Sequence, residues 1–429
     1  MKYLLLALGS RGDIEPFLAV AQQLKKEGHQ VICAFPAQFE TDTKELGLIS
    51  HPFSPDFLEI SKTPECKLIL GGAGTLIQKI IAYHVVYRAL KKIIPAIIWH
   101  EKSIIDQAKP DYVIFNPLCN YSVYWSYYHP HQSVYILSFP FIAHEDDHHH
   151  FLMMRGTRDR GKWVNRLSYT ILNDEKIRQI KKIEKHFPIA RQANPVDRKK
   201  LKQHFLHHLE SWYPLSKYIF DRPALWGENV KLTGYFEREP DKKWIIPDEL
   251  QLFLNRYDKI TLVSFGSMTN DRPELFTQMV IDIAKKHGLA VIINTASGGF
   301  HTPDAFPDHI RFVDYIPYSL ILPHIYAVLH HGGTGTTHMS VKYGCVSILV
   351  PHILDQFFWA DTIFNLKLGP KGIPIFKLTP ALMEDTLLDA LQNKEYKTNA
   401  EMISRQMETE HPVQYVIQLM KKSGKKAIV

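Results

Sequence analysis

The sequence predicts an α/β protein with two doubly wound parallel-sheet domains, and three observations lead to this fold class. The chain has 429 residues, which is more than the roughly 250 residues at which a single core stops growing. Continuous apolar strands alternate with amphipathic helices at the start of the chain, and this alternation begins again at Ile260. A strand followed by a helix and another strand favours parallel pairing, with helices covering both faces of the sheet.

The first strand–helix–strand unit occupies the amino terminus. Residues 3–8 form a short apolar run that breaks at Gly9, so we interpret them as a buried strand and not as the core of a signal peptide. Apolar residues then recur at helical spacing as far as Gly28, which is a helix stop signal. Residues 30–35 predict the second strand.

The second half of the chain repeats this pattern more regularly. A charged, proline-containing run over residues 237–243 predicts a linker, whereas residues 140–225 predict helices and long loops. The predicted strands of the second domain cover residues 260–265, 290–294, 310–313, 327–330 and 347–350. We predict an N-terminal domain over 1–236, a linker over 237–258, a C-terminal domain over 259–403 and a final helix over 404–429.

Composition excludes several classes of protein. Hydrophobic residues make up 45% of the chain and charged residues 22%, which indicates a folded globular protein. The four cysteines lie far apart without a C-x-x-C pair, so neither a zinc site nor a disulfide framework is indicated, and a reducing cytoplasm is expected. No apolar run approaches the roughly 20 residues that span a bilayer, so we expect no transmembrane segment.

A basic segment over residues 176–202 carries much of the net charge of +7. It contains ten Lys and Arg residues against two acidic residues. One interpretation is a solvated helix face, and the other is contact with an anionic membrane surface. Nucleic acid is a less suitable partner, because the segment lacks interleaved aromatic residues.

A polar, glycine-rich string, HHGGTGTT at residues 330–337, starts at the end of an apolar strand and leads directly into a predicted helix. Glycines let the backbone approach a ligand closely, and the N–H groups and positive end of the following helix favour a phosphate. A tight turn that only needs glycine is the alternative interpretation. The string lacks the Gly-Lys-Ser/Thr of a Walker A loop and the G-x-G-x-x-G order of a dinucleotide site.

Asp355 and Gln356 follow the next predicted strand, so both are expected at the carboxyl edge of the same sheet. Ligands bind along that edge in open α/β folds. A carboxylate beside an amide suits the hydroxyl groups of a sugar. A simple helix N-cap is the alternative interpretation of Asp355.

Three segments resemble one family of enzymes. Residues 312–374, which include the glycine-rich string, are similar to the donor-binding signature of the glycosyltransferase family that contains UDP-glucuronosyltransferases, sterol glucosyltransferases and antibiotic glycosyltransferases. The N-terminal GSRGDIEPFLAVAQQLKKEGHQV and the mid-chain LVSFGSM resemble the sterol and antibiotic branch. The resemblance implies a GT-B fold, in which two Rossmann-like domains face each other across a cleft. It also implies that the first domain binds the acceptor, that the second binds a nucleotide-sugar donor, and that the final helix crosses back to the first.

The resemblance also implies roles for individual residues. His331 would contact the donor diphosphate, residues 333–337 would hold its phosphates, and Ser267 would reach a phosphate or the ribose. Tyr315 and Ile316 would lie against the base; the plant branch carries Trp at the first of these positions, so the identity of the base stays open. The predicted donor-binding residues are Ser10, Arg11, Gly12, Gly266, Ser267, Tyr315, Ile316, His331, Gly333, Thr334, Gly335, Thr336, Thr337, Asp355 and Gln356.

Asp13 is the predicted general base, because the antibiotic enzymes carry the same Gly-x-Arg-Gly-Asp pattern, and its alternative role is a helix N-cap. A carboxylate would accept the proton of an acceptor hydroxyl while the hydroxyl oxygen attacks the anomeric carbon, so that one displacement inverts the configuration. The helix N-terminus and His331 would stabilise the departing diphosphate without a metal. Residues 145–150, EDDHHH, have the composition of a metal site, but we interpret them as a surface loop.

Aromatic residues in the N-terminal half predict a large apolar acceptor pocket, although core packing is an equal alternative for each of them. The predicted acceptor residues are Tyr83, Tyr87, Tyr121, Trp125 and Phe139. Together with the resemblance, they predict an inverting transferase that moves glucose from UDP-glucose to a hydroxyl of a lipophilic acceptor, such as a sterol or a polyketide-like product, with no other cofactor. A nucleotide-sugar epimerase or hydrolase, or a non-catalytic nucleotide-sugar-binding protein, is the alternative. The protein is expected in the cytoplasm, with peripheral contact to an anionic membrane.

Overall fold

The computed structural model describes residues 1–70, 75–139, 143–150, 159–186, 196–239, 244–266, 268, 272–295 and 299–426. The chain divides into two compact units. Unit 1 contains Met1–Ile60, Arg88–Arg238 and His411–Val429, and unit 2 contains Ser61–Tyr87 and Glu239–Glu410. The domain bounds predicted above differ from this division at Ser61–Tyr87, because residues 50–240 carry no clear motif that would separate this segment from its neighbours.

Unit 1 is built on a sheet that has seven parallel strands in the described part of the chain. They are β1 (Lys2–Leu6), β2 (Gln30–Ala34), β3 (Ile49–Ser50), β4 (Tyr112–Phe115), β5 (Ser133–Ile136), β6 (Glu210–Tyr213) and β7 (Val230–Leu232). Their order in the sheet is β3-β2-β1-β4-β5-β6-β7. The chain therefore runs outward from β1 and returns to place β4 on the other side of it. The carboxyl ends of β1 and β4 form a topological switch point, where ligands bind in such folds.

Helices connect these strands along the chain. The first eight helices in chain order are α1 (Arg11–Lys26), α2 (Glu40–Glu45), α3 (Asp56–Glu59), α4 (Pro64–Leu70), α5 (Leu76–Ala108), α6 (Asn120–Tyr128), α7 (Lys162–His186) and α8 (Arg198–Gln203). Helix α1 packs on the sheet because its apolar residues, among them Ile14, Phe17 and Leu24, are buried at helical spacing. The helix ends just before Gly28, which has a φ of +79°.

Unit 2 repeats this design with five parallel strands in its described residues. They are β8 (Ile260–Ser264), β9 (Ala290–Asn294), β10 (Ile310–Val313), β11 (Ala327–His330) and β12 (Val346–Leu349). The order is β10-β9-β8-β11-β12, so the switch point of unit 2 lies between β8 and β11. Ser264 and His330 are partners in the register of these two strands, which brings the loops that follow them side by side.

The remaining helices are α9 (Asp248–Arg256), α10 (Pro273–His287), α11 (Tyr318–Ile321), α12 (Thr334–Lys342), α13 (Gln356–Asn365), α14 (Pro380–Gln392), α15 (Lys394–Met407) and α16 (Pro412–Lys426). Helix α16 belongs to unit 1, where Val416, Ile417 and Met420 join the apolar core. The predicted final helix starts too early, because residues 404–407 are the end of α15. A new helix starts at Pro412, since proline fits the first turn of a helix and not its interior.

The predicted class of two doubly wound parallel-sheet domains is confirmed. Strands β9, β10 and β11 have the predicted bounds. Strands β6 and β7 were not predicted, because they lie in or beside the region that was expected to hold helices and long loops. Among the described residues, no helix is both long enough and apolar enough to cross a membrane.

Candidate active site

The loop after β1 and the start of α1 hold the predicted base. Ser10 is the N-cap residue of α1 and Asp13 is its third helical residue, so Asp13 caps this helix from the third position and not as the N-cap residue itself. The main-chain N–H of Ser10 donates to Asp13 Oδ2 at 2.9 Å, and the Ser10 hydroxyl donates to the same oxygen at 3.2 Å. Asp13 therefore supplies the carboxylate of a capping box.

Gly9 sets the position of this carboxylate. Its φ is +124°, and a Cβ at this position would lie 2.3 Å from Asp13 Oδ2. Any other residue would be strained here and would displace the carboxylate. Burial is the largest influence on the Asp13 carboxyl and raises its pKa to about 6, against the lowering effect of its hydrogen bonds with Ser10. A base with this pKa is ionised at neutral pH and can still accept a proton.

Arg11 and Gly12 are exposed residues of the same turn. The Arg11 guanidinium donates to Glu15 at 2.7 Å and to Asp42 at 3.1 Å. Arg238 approaches the same two carboxylates at 3.3 and 3.5 Å. The positive charge of Arg11 is therefore matched by carboxylates within unit 1, and its role in donor binding stays a prediction that these contacts do not support.

His331 lies at the switch point of unit 2, between two glycines. A Cβ on Gly266 would lie 2.6 Å from His331 Cε1, and a Cβ on Gly333 would lie 2.4 Å from His331 Nε2, so only glycine lets both backbone segments approach the ring. Burial, followed by the neighbouring His330 and His352, lowers the pKa of His331 well below its ordinary value. No described residue hydrogen-bonds to its buried Nδ1. The ring is therefore neutral, and it can donate one N–H to a ligand.

Helix α12 begins just after this ring with an open N-terminus. Gly333 is its N-cap residue, and the first hydrogen bond of the helix runs from the Thr337 N–H to Gly333 O at 3.0 Å. The N–H groups of residues 334–336 have no acceptor in the helix. Residues 333–336 are partly exposed, so these groups can meet an anion at the positive end of the helix. The structure brings them together with His331.

The threonine side chains at this helix start differ in their availability. Thr337 is buried and its Oγ1 donates to Gly333 O at 2.9 Å. Its hydroxyl is therefore not directed to a phosphate, contrary to the prediction. Trp359 Nε1 donates to Thr334 Oγ1 at 2.9 Å, and that hydroxyl donates to Asp355 Oδ2 at 3.1 Å. The hydrogen bonds from Trp359 through Thr334 therefore fix the direction of the Asp355 carboxylate.

Asp355 and Gln356 lie side by side but have different surroundings. Asp355 occupies the N-cap position of α13, yet its side chain makes no capping hydrogen bond, so the capping alternative does not describe it. Leu354, just before it, has a φ of +50°, which is rare for a branched residue and marks a constrained turn. Gln356 is buried, and its Oε1 accepts from the main-chain N–H of His352 at 2.7 Å and from that of the next residue at 3.1 Å. Gln356 therefore fixes the loop, and only Asp355 is partly exposed.

The two residues predicted to contact the nucleotide base of the donor also differ. Tyr315 is 55% exposed, so its ring is accessible to a ligand, whereas Ile316 is 4% exposed and its side chain packs in the interior. Only the main chain of Ile316 can contact a nucleotide base. The predicted ligand Ser267 lies outside the described residues.

The predicted acceptor residues fall into two groups. Tyr83 and Tyr87 lie on α5 and are 58% and 63% exposed. Tyr121 and Trp125 are buried on α6, where Trp125 stacks on a histidine one turn later with 4.0 Å between the ring centroids. Phe139 is half-buried after β5. Core packing therefore accounts for Tyr121 and Trp125, and the two exposed tyrosines are the ones that a bulky ligand can reach.

The basic segment is partly occupied by internal contacts. Lys176 donates to Pro117 O at 2.5 Å and to Asn120 Oδ1 at 2.6 Å, and burial lowers its pKa to about 8. Lys202 pairs with Asp174 at 2.7 Å. Residues 187–195 of the segment lie outside the described residues. These contacts leave fewer unpaired cations for a membrane than the composition indicated.

The acidic, His-rich run over residues 145–150 is tied to α7. The main-chain N–H of His150 donates to Ser168 Oγ at 2.9 Å, and Arg166 lies 3.5 Å from a carboxylate oxygen of Glu145. Within the described ranges, no group of three or more His, Cys, Asp and Glu side chains is arranged to hold a metal ion.

Sequence reasoning missed three polar side chains at the two switch points. Asn116 follows β4 and hydrogen-bonds to the main chain just after β1. Tyr318 donates to Ser264 Oγ at 2.9 Å, at the end of β8. Trp359 is the third, through its bond described above. A polar residue directly after an apolar strand was a usable signal for Asn116, whereas Tyr318 and Trp359 have the sequence pattern of ordinary core residues.

Two family models match the chain. The Glycosyltransferase family 28 N-terminal domain matches residues 3–107, and the Erythromycin biosynthesis protein CIII-like C-terminal domain matches residues 279–421. The first range contains Asp13, and the second contains His331, the start of α12 and Asp355.

The chain is also similar to sterol glucosyltransferases. It is 26% identical over 425 residues to sterol 3-beta-glucosyltransferase UGT80B1 of Arabidopsis thaliana, in an alignment that covers 96% of this chain and 66% of that protein. A second Arabidopsis thaliana sterol 3-beta-glucosyltransferase, UGT80A2, is 27% identical over 96% of this chain and 64% of its own length. The chain therefore spans slightly less than two thirds of these relatives.

Solved structures share the whole fold. The calicheamicin glycosyltransferase CalG4 has a TM-score of 0.68 and 16% identity, with 98% of both chains covered. The glycosyltransferase VinC, solved in complex with dTDP, has a TM-score of 0.64 and 17% identity, with 99% of this chain and 100% of that chain covered. The family models and this shared fold agree with the two parallel-sheet units described above. The N-terminal part of the chain is thus similar to the glycosyltransferase family 28 N-terminal domain, the C-terminal part is similar to the erythromycin CIII-like C-terminal domain, and the chain as a whole shares the fold of these solved glycosyltransferases.

Proposed function

We propose that the protein is an inverting glycosyltransferase that moves glucose from UDP-glucose to a hydroxyl of a lipophilic acceptor such as a sterol. The observation that carries this proposal is the open N-terminus of α12 beside the His331 ring, which lies between Gly266 and Gly333, because this arrangement suits a diphosphate. The names of the two Arabidopsis relatives support glucose and a sterol. A polyketide-like alcohol is the second acceptor class, supported by the erythromycin CIII-like match.

The donor would bind with its diphosphate against residues 333–336. Three main-chain N–H groups and the neutral His331 ring offer hydrogen bonds that strengthen as the leaving group gains negative charge. Asp355, which accepts from the Thr334 hydroxyl at 3.1 Å, would also accept from sugar hydroxyls. The exposed Tyr315 ring would stack on the base.

Asp13 would take the proton of the acceptor hydroxyl. As this proton leaves, the acceptor oxygen forms a bond with the anomeric carbon, and the bond from that carbon to the β-phosphate oxygen breaks, so that UDP departs with the electron pair. One displacement inverts the anomeric configuration. The positive end of α12 would stabilise the departing diphosphate, so we propose that transfer does not require a metal.

Product analysis tests this function against its alternatives. The protein is incubated with UDP-glucose and a sterol, and the products are examined by mass spectrometry and by NMR of the anomeric proton. We expect a β-glucoside from the α-linked donor, with an unchanged rate in EDTA. Free glucose would indicate a hydrolase, an altered sugar nucleotide would indicate an epimerase, and donor binding without any product would indicate a non-catalytic binding protein. A parallel assay with dTDP-glucose determines the preferred base.

We also propose peripheral membrane contact at the cytoplasmic face, through one side of α7. Trp163, Leu167 and Ile171 are 75%, 38% and 45% exposed, and their spacing of four residues places them on one face of this helix. Tryptophan favours the interfacial region of a bilayer, and the nearby Lys162 and Arg166 suit anionic headgroups. The four cysteines of the chain are free thiols, as a reducing cytoplasm would keep them.

Vesicle sedimentation tests this contact. The protein should sediment at low salt with vesicles that contain phosphatidylserine, and Trp163→Ala should reduce the bound fraction several-fold. Leu252→Ala is a matched control, because Leu252 is another exposed apolar residue, 70% exposed, on α9 of unit 2. Equal sedimentation of the wild type and Trp163→Ala would exclude this helix face as the contact.

A further inference from the structure

A buried asparagine joins the two strands at the switch point of unit 1. Asn116 lies directly after β4 and is 1% exposed. Its Nδ2 donates to Leu8 O at 2.6 Å, and the Leu8 N–H donates to its Oδ1 at 3.4 Å. Its own main-chain N–H donates to Leu6 O at 3.1 Å. The side-chain amide thus acts like one more peptide group in the parallel ladder and holds the chain of β1 for two residues beyond its last paired residue.

Those residues lead directly to the proposed base. Leu8 precedes Gly9, whose φ of +124° turns the chain into α1. The absent Cβ of Gly9 leaves the space that the Asp13 carboxylate fills, with only 2.3 Å between that position and Oδ2. A shift of the Leu8 main chain therefore moves the Gly9 backbone and with it the surface against which the carboxylate rests.

The asparagine itself is held by its surroundings. Its Oδ1 also accepts from the Leu118 N–H at 3.2 Å and lies 3.5 Å from Cys119 Sγ. The Cys119 N–H donates to Asn116 O at 3.0 Å. These contacts assign Oδ1 as the acceptor and Nδ2 as the donor, so the amide has one favourable orientation.

Two ionisable side chains support the turn that follows. Glu101 on α5 is fully buried and accepts from the main-chain N–H of Tyr121 at 3.0 Å and from that of Ser122 at 2.6 Å, at the start of α6. Lys176 on α7 donates to Pro117 O, as described above. Because an unsatisfied polar group is costly to bury, these hydrogen bonds hold residues 117–122 in this arrangement and limit the freedom of the asparagine.

We propose that Asn116 is a positioning residue for the reaction: it holds the Leu8 main chain so that Gly9 keeps the Asp13 carboxylate in its place at the start of α1. This inference rests on the proposed role of Asp13 as the base. Asn116 does not touch the reacting atoms. It acts through the backbone of the loop, and its loss should change turnover and the titration of the base while leaving the donor site of unit 2 unchanged.

Steady-state kinetics over a range of pH test the proposal. Asn116→Ala should lower kcat by about 10-fold or more, because a small displacement of a catalytic group has a large effect on rate. The KM for UDP-glucose should stay within about twofold. The acid limb of kcat/KM should move to lower pH by at least about half a unit, because a displaced carboxylate meets more solvent. Active sites are counted by titration with UDP, so that loss of folded protein does not count as loss of turnover.

Two further variants keep this test decisive. Asn116→Asp has the same shape but, when ionised, cannot donate to Leu8 O, so it should also lower kcat and move the acid limb. Asn229→Ala is the matched control, because the Asn229 amide donates to two main-chain oxygens at 3.0 and 3.3 Å beside the amino ends of β6 and β7. This control should lower stability without moving the acid limb.

Asp13→Asn is measured in parallel to separate the two proposals. If Asp13→Asn keeps wild-type turnover, Asp13 is not the base and the proposed function of this residue fails. If Asp13→Asn is inactive while both Asn116 variants match Asn229→Ala in kcat and in the position of the acid limb, the positioning role of Asn116 is wrong and the base assignment stands.

Discussion

Each unit has a helix that starts beside the switch point of its sheet, after the central strand β1 in unit 1 and after β11, the strand across the switch point from β8, in unit 2, yet only one of these helices has an N-terminus open to an anion. Helix α1 follows β1 at the switch point of unit 1, and α12 follows β11 at the switch point of unit 2. In both loops the residue before the N-cap is a glycine with positive φ, +124° at Gly9 and +89° at Gly332. The backbone route from strand to helix is therefore alike in the two units.

The difference lies in the cap and in the third residue of each helix. Helix α1 has Ser10 and Asp13 at these positions, and α12 has Gly333 and Thr336. The Asp13 carboxylate occupies the positive end of its own helix, so α1 carries a built-in anion. Helix α12 has no carboxylate there and leaves its N–H groups to a ligand. The cap residue and the third residue thus distinguish a helix start that can hold a base from one that can hold a phosphate.

The largest expected effect comes from removing the built-in anion. Asp13→Asn should lower kcat by on the order of 10²-fold or more and leave UDP affinity unchanged, as expected for loss of a general base. The asparagine oxygen can still accept from the Ser10 N–H, so α1 should keep its cap. Asp13→Ala should lose the activity and also about 1 kcal/mol of stability through the cap. Turnover near the wild-type rate in both variants would contradict the assignment.

Placing an anion at the start of α12 tests the same difference from the other helix, because it should make the start of α12 resemble that of α1. Thr336→Glu puts a carboxylate at the third position of α12, where it would compete with the diphosphate, and UDP affinity should fall by on the order of 10²-fold. Isothermal titration with UDP measures this effect. Thr336→Gln is the neutral control of equal size. A similar loss in both variants would mean that crowding, and not charge, blocks the site.

The neutral ring beside α12 should have a smaller effect. His331→Ala should weaken donor binding and slow transfer together, by about 10-fold each, because its hydrogen bond exists in the bound donor and strengthens in the transition state. His331→Phe keeps a flat ring without the N–H, so it should also lose affinity. Since the pKa of His331 lies well below its ordinary value, UDP affinity measured between pH 6 and 8 should not show a titration of this residue. Such a titration, absent from His331→Ala, would show that the ring binds as a cation.

The smallest effect is on stability. Burial raises the pKa of Asp13 from 3.8 to about 6 in the folded protein, so the folded state binds a proton more tightly between these values. The contribution of this group to the free energy of unfolding should therefore increase as pH falls from 7 to 4, by about 1 kcal/mol after allowance for the solvent that reaches this half-buried residue. Activity should change in the opposite direction, with kcat/KM falling below about pH 6.

Urea unfolding and rate measurements at pH 7 and pH 5 test both parts. The comparison is the wild type against Asp13→Asn, which lacks the titrating group. If the two proteins show the same change in unfolding free energy, the Asp13 pKa is not raised in the folded state.

The parts of the site that lie in one local segment could be predicted from the sequence. The string at residues 330–337 shows its glycines, its polar residues and its place between a strand and a helix in one short stretch. Direction of side chains could not be predicted in the same way. Thr337 and Gln356 turn inward to bond with main-chain groups, and this depends on the packing around them. Asn116 meets Leu8 across 108 positions of sequence, a contact that only the pairing of β1 with β4 creates.

For the strands too, the features that lie in one short segment could be predicted, and those that depend on contacts between distant segments could not. Strands β9, β10 and β11 are mostly apolar, with at most one polar residue each, so their limits could be predicted from the sequence. Strand β6 has the sequence ESWY and β7 has VKL, so neither contains the run of apolar residues that distinguishes a buried strand from a loop. Strand β6 pairs with β5 and β7 pairs with β6, which places β7 at the edge of the described sheet, and the sequence pattern does not contain these pairings.

The position of α16 has a consequence for how the chain folds as it is synthesised. The core of unit 1 includes Val416, Ile417 and Met420, whereas all the residues of unit 2 precede this helix in the chain. Because domains fold as they emerge from the ribosome, unit 2 can complete its core while unit 1 still lacks these three side chains. The residues of unit 1 that precede unit 2 in the chain therefore belong to the unit whose core is completed last, and the apolar surface that α16 covers stays exposed until this helix emerges.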